Sequence, residues 1–131
     1  MNRTPDAMKL IIPTGCDNAP RKQIVIDFTI AMLQQQDEVI AKYADESIIW
    51  YKLKETRTIE GQHSFIAALQ DDNTTMIDCL EIDQVITHGK FASINGVVSA
   101  VDGTTFDFCD VYTFSNTAKS GKVKEIKSYR L

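Results

Sequence analysis

One carboxylate stands among four aromatic side chains near the end of the chain. Every second position of this segment is occupied by Phe106, Phe108, Asp110, Tyr112 and Phe114. Alternation of this kind is typical of a β-strand, in which every second side chain points to the same face. The other phase holds smaller and more polar residues, so the aromatic face is predicted to be the interior one. Asp110 is therefore predicted to be buried.

A buried carboxylate is a candidate for acid or base chemistry. A charged and unpaired carboxylate on an apolar face costs several kcal/mol, so it must be hydrogen-bonded, neutralised or placed beside a cavity. Asp110 is thus either a catalytic acid or base for a carbonyl, enol or hydroxyl compound, or a structural acceptor of hydrogen bonds. His63, at the start of a predicted helix, is a second catalytic candidate if it faces the interior, and an exposed histidine otherwise.

Aromatic and small residues suggest a cavity near Asp110. Trp50, the single tryptophan, is followed by Tyr51, and alternation lets only one of the two line a ligand site. A plain core position for Trp50 stays open as well. The segment before Asp110 carries small or aliphatic side chains at every second position, namely Ala92, Ile94, Gly96, Val98 and Ala100. Such residues leave room for a cavity.

Two further polar sets need an assignment. Asp78 and Gln84 share a phase with Leu80, Ile82 and Ile86, which predicts one of the two as a polar group of the cavity wall. A basic cluster near the C-terminus is interpreted as a solvated face or a surface for pairing between subunits. Its members are Lys119, Lys122, Lys124, Lys127 and Arg130.

Composition limits the class of protein. The 131 residues, of 14.7 kDa, match one domain, and 44% hydrophobic with 24% charged residues is typical of a soluble globular protein. No apolar window approaches the ~20 residues of a membrane span. The formal charge of −4 lacks the basic footprint that nucleic acid demands. Neither a membrane nor a nucleic acid is expected as a partner.

Cysteine and histidine patterns exclude several kinds of site. Cys16, Cys79 and Cys109 form no CxxC pair, and His63 and His88 lie far apart. No disulfide framework, metal site or cofactor is therefore expected.

The short apolar run 10–12 is too brief for a secretory signal, which favours a cytoplasmic protein. Residues 1–18 are predicted to form an N-terminal arm before a single domain of residues 19–131.

Helical patterns precede strand patterns along the chain. Asp17 or Asn18 before Pro20 predicts a helix start, and apolar spacing predicts helices over 21–35, 37–44 and 62–70. A strand is predicted over 47–53, between the second and third helices. The remaining predicted strands cover residues 75–87, 91–101, 104–115 and 122–131. This order predicts an α+β fold with the helices on one face of an antiparallel or mixed sheet.

The segment around Asp110 resembles a known family. FCDVYTF at 108–114, followed by GKVKEIKSY at 121–129, is similar to the C-terminal hairpin of SnoaL-like proteins in the nuclear transport factor 2-like superfamily. Further similar pieces occur in the same order, at Asp27-Phe28, residues 43–46, Trp50 and residues 59–61. The resemblance covers residues 21–131.

This resemblance implies a cone-shaped, cystatin-like fold, with three helices on a strongly curved sheet around a deep apolar pocket. It also implies a homodimer through the outer face of the sheet. Asp110 falls where ketosteroid isomerases of the superfamily place an acid of the oxyanion hole. Their general base falls at Trp50 or Tyr51, and their oxyanion tyrosine falls near Phe28 or Thr29. Both groups are missing here, so steroid isomerisation is not expected.

Two functions remain open from the sequence. In the first, the protein binds a small, mostly apolar molecule anchored by Asp110, with possible acid–base chemistry of the isomerase, cyclase or dehydratase type. The walls of that pocket are predicted to be Phe28, Met32, Phe108 and Tyr112, together with whichever of Trp50 and Tyr51 faces inward. In the second, a non-catalytic dimeric interaction module fills its interior with its own side chains. A cavity of roughly 300 Å³ or more would favour the first.

Overall fold

The computed structural model describes residues 8–13, 20–72 and 76–131. Within these ranges the helices are α1 (Pro20–Gln34), α2 (Asp37–Tyr43) and α3 (Gln62–Asp72). The strands are β1 (Lys9–Ile11), β2 (Ala44–Lys52), β3 (Arg57–Glu60), β4 (Ile77–His88), β5 (Phe91–Ala100), β6 (Thr105–Phe114) and β7 (Val123–Arg130). A 3₁₀ helix, Leu53–Glu55, joins β2 to β3. None of the described helices is long and apolar enough to span a bilayer.

The described strands form one mixed sheet in the order β1-β4-β5-β6-β7-β2-β3. The pairs β1–β4 and β2–β7 are parallel, and the other neighbours are antiparallel. Helix α1 packs on β4 and β5, while α3 packs on β2 and β3. We call the helix-covered side of the sheet its inner face. The predicted α+β fold class is confirmed.

The element boundaries differ from the predicted ones where pairing partners lie far apart in sequence. Strand β2 begins at Ala44, three residues earlier than expected, because Ala44 pairs with Val123 of β7. Strand β3 was not predicted, since its four polar and apolar residues carry no clear alternation. It forms because it pairs with β2. The predicted cap at Asp17 or Asn18 lies outside the described residues.

Part of the predicted N-terminal arm is strand β1. Its three residues pair with Cys79, Leu80 and Glu81 of β4. The side chains of Leu10 and Ile11 remain exposed. The segment is held by its backbone pairing with β4 and by Met8, which packs against the core.

Ring contacts fill the centre of the inner face. The ring of Phe28 on α1 lies 5.9 Å from those of Phe65 and Tyr112, measured between centroids. Trp50 on β2 stands 5.0 Å from Phe65 of α3. These contacts connect α1 to β6 and α3 to β2. The side chains of Phe28, Phe65 and Tyr112 are fully buried.

The predicted inner phases are confirmed on β5 and β6 but fail on β4. Phe108, Asp110, Tyr112 and Phe114 of β6 are buried, and Phe106 is half-buried. On β4, Leu80 and Ile82 are buried, but an irregularity between Ile82 and Gln84 moves the next buried residue to Val85. The prediction of Asp78 or Gln84 as a cavity wall is therefore wrong. Both are exposed, because the irregularity and the start of the strand interrupt the alternation.

Gly96 of β5 occupies a point of close backbone approach. A Cβ atom added at this position would overlap the carbonyl oxygen of Glu81 on the neighbouring strand β4. Gly96 pairs with Ile82, at the edge of the β4 irregularity, where the two strands are crowded. Absence of a side chain at Gly96 thus permits the strand pairing and does not enlarge the cavity described below.

Gly96→Ala is expected to lower the free energy of unfolding by about 2–3 kcal/mol, because the overlap forces the two strands apart. Gly89→Ala is the control, since an added Cβ there meets no atom within 4 Å and only its φ of +59° is unfavourable. That strain costs about 1 kcal/mol. Urea unfolding of both variants measures the difference, and equal losses would contradict the steric explanation.

Candidate active site

A row of polar side chains crosses three neighbouring strands on the inner face. Lys52 at the end of β2 pairs with Ser128 of β7, and Ser128 pairs with Asp110 of β6. All three are buried among apolar neighbours, with relative exposures of 8%, 3% and 2%. Since unpaired buried polar groups are costly, each member requires a partner or access to solvent.

Arg130 is the partner of Asp110. Its Nη1 donates a hydrogen bond of 2.8 Å to Oδ1 of Asp110, forming an ion pair in which the arginine side chain is 27% exposed. The two residues are diagonal neighbours, because Asp110 pairs with Ser128 and Arg130 lies two positions further along β7. The guanidinium also stands 5.6 Å and 5.7 Å from the rings of Phe106 and Phe108. The pair offsets the cost of burying the carboxylate.

Trp50 and Lys52 extend this polar row into β2. Trp50 Nε1 donates to Ser128 Oγ at 2.8 Å, and Lys52 Nζ lies 5.0 Å from the centre of the indole ring. Lys52 also forms an ion pair of 2.8 Å with Glu55, whose side chain is 53% exposed. The hydrogen bond from Lys52 lowers the pKa of Glu55, so this carboxyl stays ionised near neutral pH.

The polar row borders a cavity of about 320 Å³. Its apolar walls come from α1, α3 and the sheet. They include Met32, Leu33, Trp50, Leu69, Ile77 and Phe106. Its polar lining includes Lys52, Glu55, Ser128 and Arg130. Lys54, Asp102 and Thr104 also line it, so seven of the fourteen described lining residues are polar or charged. Apolar surface combined with polar groups that fix orientation is typical of a small-molecule site.

Asp110 lies beside this cavity but does not line it. It borders a separate void of about 20 Å³, together with Thr29 and Phe108. Met32, Leu33 and Arg130 line both spaces. The guanidinium of Arg130 therefore links the buried carboxylate to the larger cavity.

The other predicted wall residues occupy three environments. Trp50 is buried and lines the cavity, whereas Tyr51 points to the other face of the sheet and is half-buried. Met32 lines the cavity, as predicted from the α1 pattern. Phe28 and Tyr112 pack in the core and line neither space.

His63 is exposed on α3 and does not line either space. The structure does not bring it to Asp110, so it offers no proton-transfer partner for that carboxylate. Its position at the second residue of the helix, Gln62–Asp72, accounts for this, because the buried side chains of α3 begin at Phe65.

Tyr112 forms a buried hydrogen bond with α1. The Thr29 hydroxyl lies 2.8 Å from the carbonyl oxygen of Val25 and 2.9 Å from the Tyr112 hydroxyl. Since Thr29 donates its one proton to Val25, the tyrosine is the donor to Thr29. Complete burial, reinforced by the negative charge of Asp110, raises the pKa of Tyr112 far above its ordinary value.

Sequence reasoning missed Lys52, Ser128 and Arg130. The assignment of Arg130 to a solvated basic face was wrong, since its guanidinium lies on the inner face against Asp110. The alternation argument that was used for β6 would have found two of these residues on β7, because Ser128 and Arg130 are in phase with the buried Ile126. Lys52 likewise shares the phase of Ile48 and Trp50.

Metal and thiol chemistry find no support in the part of the chain that the structure describes. No three His, Cys, Asp or Glu side chains come together there as ligands. Burial, and then the charge of Asp110, raise the pKa of the Cys109 thiol, which disfavours the reactive thiolate.

Comparison with known proteins identifies the fold. The sequence matches no family model and no curated protein. A solved SnoaL-like structure from Shewanella denitrificans aligns with a TM-score of 0.72 at 14% identity, over 84% of this chain and 89% of that chain. A nuclear transport factor 2-like protein of unknown function from Burkholderia xenovorans aligns with a TM-score of 0.69 at 14% identity, over 85% and 82% of the two chains.

A third similar structure, a nuclear transport factor 2-like protein of unknown function from Cytophaga hutchinsonii, has 20% identity and a TM-score of 0.64. The alignment covers 86% of this chain and 96% of that chain. The protein therefore has the nuclear transport factor 2-like fold, as the sequence resemblance implied. Many unrelated activities share one fold, so function is argued from the cavity and its side chains.

Tyr112→Phe is expected to change how stability depends on pH. Above about pH 10, an unfolded tyrosine ionises while the folded Tyr112 stays neutral, which removes about 1.4 kcal/mol of stability per pH unit. The wild-type stability is therefore unaffected by this ionisation below about pH 10 and falls as the pH rises above it. The variant loses one hydrogen bond, worth about 1 kcal/mol, at every pH but lacks the alkaline decline.

Free energies of unfolding for wild type and Tyr112→Phe, measured by urea denaturation between pH 8 and 11, test this expectation. The stability advantage of the wild type should be constant to about pH 10 and shrink above it. A difference that stays constant to pH 11 would contradict a raised pKa for Tyr112.

Proposed function

We propose that this protein binds a small, mostly apolar molecule in the cavity between α1, α3 and the inner face of the sheet. The cavity of about 320 Å³ carries the proposal, since it reaches the ~300 Å³ lower limit of small-molecule sites. An interior filled by its own side chains would lack such a space. The interaction-module alternative therefore has less support.

The proposed ligand orientation follows from the uneven lining. Met32, Leu33 and Leu69 offer apolar surface, whereas Ser128 and Arg130 lie on β7. An apolar body would pack against the helices, and an oxygen-bearing group would face β7. Trp50 spans both regions because its ring contacts Phe65 while its N–H binds Ser128.

Acid–base chemistry at Asp110 is the second part of the proposal. The carboxylate is 2% exposed and held by Arg130, so it reaches a ligand only if the guanidinium moves aside. Proton transfer of the isomerase, cyclase or dehydratase type is the chemistry that such a carboxylate could serve. Asp110→Asn should abolish any turnover found, and turnover at the wild-type rate would remove Asp110 from the mechanism.

A thermal-shift screen with steroids, polyketide-like aromatics, fatty acids and small enols tests the binding proposal. A ligand at ~100 times its Kd adds roughly 2.7 kcal/mol to the stability of the folded protein. Ala100→Phe places a ring in the cavity and should abolish the shift, because Ala100 lines that space.

Val101→Phe is the matched control, since Val101 is the next residue and is 52% exposed. This variant should keep the wild-type shift. Binding that survives Ala100→Phe would place the ligand elsewhere. A silent panel, with unchanged fluorescence of Trp50, would contradict the proposal.

We also propose a homodimer through the outer face of the sheet. Val97, Val111 and Tyr129 alternate with the inner residues on β5, β6 and β7, and Tyr129 is 42% exposed. Apolar side chains on an open sheet face are suited to a self-complementary contact.

Analytical ultracentrifugation should give twice the chain mass of 14.7 kDa. Val111→Lys should shift the protein to the single-chain mass, because a buried lysine would lie at the proposed contact. His63→Lys, which adds a charge on the helix side, should leave the dimer intact. A wild-type protein of single-chain mass at high concentration would refute the dimer.

A further inference from the structure

The cavity has a cationic interior in an acidic protein. The chain carries a net charge of −4, yet the cavity is lined by Lys52, Lys54 and Arg130 against the carboxylates of Glu55 and Asp102. Two of these cations, Lys52 and Arg130, also lie deeper than the carboxylates, whereas Lys54 is exposed. The side chains of Lys52 and Arg130 are 9% and 27% exposed, whereas that of Glu55 is 53% exposed.

The two carboxylates of the lining already have partners of their own. Asp102 accepts a hydrogen bond of 2.9 Å from the backbone N–H of Thr104, within its own exposed turn. Glu55 pairs with Lys52 from the rim. Asp110, which pairs with Arg130, borders the smaller void and does not line the cavity. A ligand that brings its own negative charge would meet the cationic side chains of Lys52 and Arg130 from the cavity side.

Arg130 retains donors for such a ligand. Both of its hydrogen bonds to described residues come from Nη1, one to Asp110 and one of 3.2 Å to the carbonyl oxygen of Tyr129. Nε and Nη2 have no partner among the residues described. Those two donors form one edge of the guanidinium, which matches the two oxygens of a carboxylate.

Ser128 supplies a further donor beside Arg130. Its hydroxyl oxygen accepts the N–H of Trp50, and its own proton has no acceptor within the described ranges. The residue is only 3% exposed and lines the cavity. A buried hydroxyl with an unused proton is a costly arrangement that a ligand oxygen would relieve.

We propose that the ligand is a small organic acid, with its carboxylate bound by the Nε–Nη2 edge of Arg130 and the hydroxyl of Ser128. Lys52 contributes a second positive charge, and the apolar body of the acid packs on Trp50 and Met32. The volume of about 320 Å³ fits an acid with one or two rings. This inference rests on the proposed binding function and names the ligand class.

Matched acids and amides test the charge requirement. The probes are 2-naphthoate with 2-naphthamide, and cyclohexanecarboxylate with its primary amide. The amide keeps the shape of the acid and loses the charge. Isothermal titration calorimetry should show the acid binding at least about tenfold more tightly in each pair, because hydrogen bonds to a charged group are the stronger ones. Quenching of the single tryptophan, Trp50, locates binding in the cavity.

Variants separate the role of Arg130 from that of overall charge. Arg130→Gln alone would leave Asp110 buried without its cation, so the double variant Asp110→Asn/Arg130→Gln is used to keep the pair neutral and similar in shape. Its preference for the acid should fall several-fold, because Lys52 is then the only enclosed cation left in the described cavity lining. Lys127→Gln removes the same charge from an exposed position on β7 and should keep the preference for the acid.

Equal binding of acid and amide by the wild type would overturn the organic-acid inference and leave the binding function standing. A preference for the acid that is as large in the double variant as in the wild type would also overturn it. If neither the acids nor the amides bind, and no compound of the thermal-shift panel stabilises the protein, the proposed binding function is wrong as well.

Discussion

A carboxylate on the apolar inner face of a sheet requires a compensating charge, and Arg130 supplies it for Asp110. The antiparallel register of β6 and β7 makes the two residues diagonal neighbours on one face. This pairing lets β7 carry Ser128 and Arg130 inward at the end of the strand. Removing Arg130 alone would leave the charge of Asp110 buried without a partner, so the two residues form one structural unit. The polar side of the cavity depends on that unit.

The inner face is divided between a filled region and an open one. Around Tyr112, the rings of Phe28 and Phe65 and the hydroxyl of Thr29 close the interior. Toward the C-terminal ends of β2 and β7, the parallel pairing places Lys52 beside Ser128, and the helices leave a cavity there. The first region holds the packed rings of the core, and the second holds the cavity for which ligand binding is proposed. Trp50 belongs to both, because it packs on Phe65 and binds Ser128.

Charge is distributed differently inside the cavity and over the chain. Overall the protein is acidic, but its two most enclosed charged side chains in the cavity lining are Lys52 and Arg130. Electrostatic interactions strengthen as water is excluded, so these cations matter more to a bound ligand than the exposed carboxylates at the rim. The ion pair with Arg130 gives the Asp110 carboxylate the role of a hydrogen-bond acceptor.

Local pattern was enough to predict the α+β class, the order of the helices and the buried phase of β5 and β6, because periodicity records which side of an element is covered. It also placed Asp110 in the interior, but it left open whether Trp50 or Tyr51 faces inward. It could not place Lys52, Ser128 and Arg130 together, since that depends on β2 pairing in parallel with β7, whose residues lie far along the chain. Local pattern also could not predict the irregularity after Ile82 or the existence of strand β3. Strand pairing is a long-range choice, so only the tertiary structure decided which polar groups share the cavity.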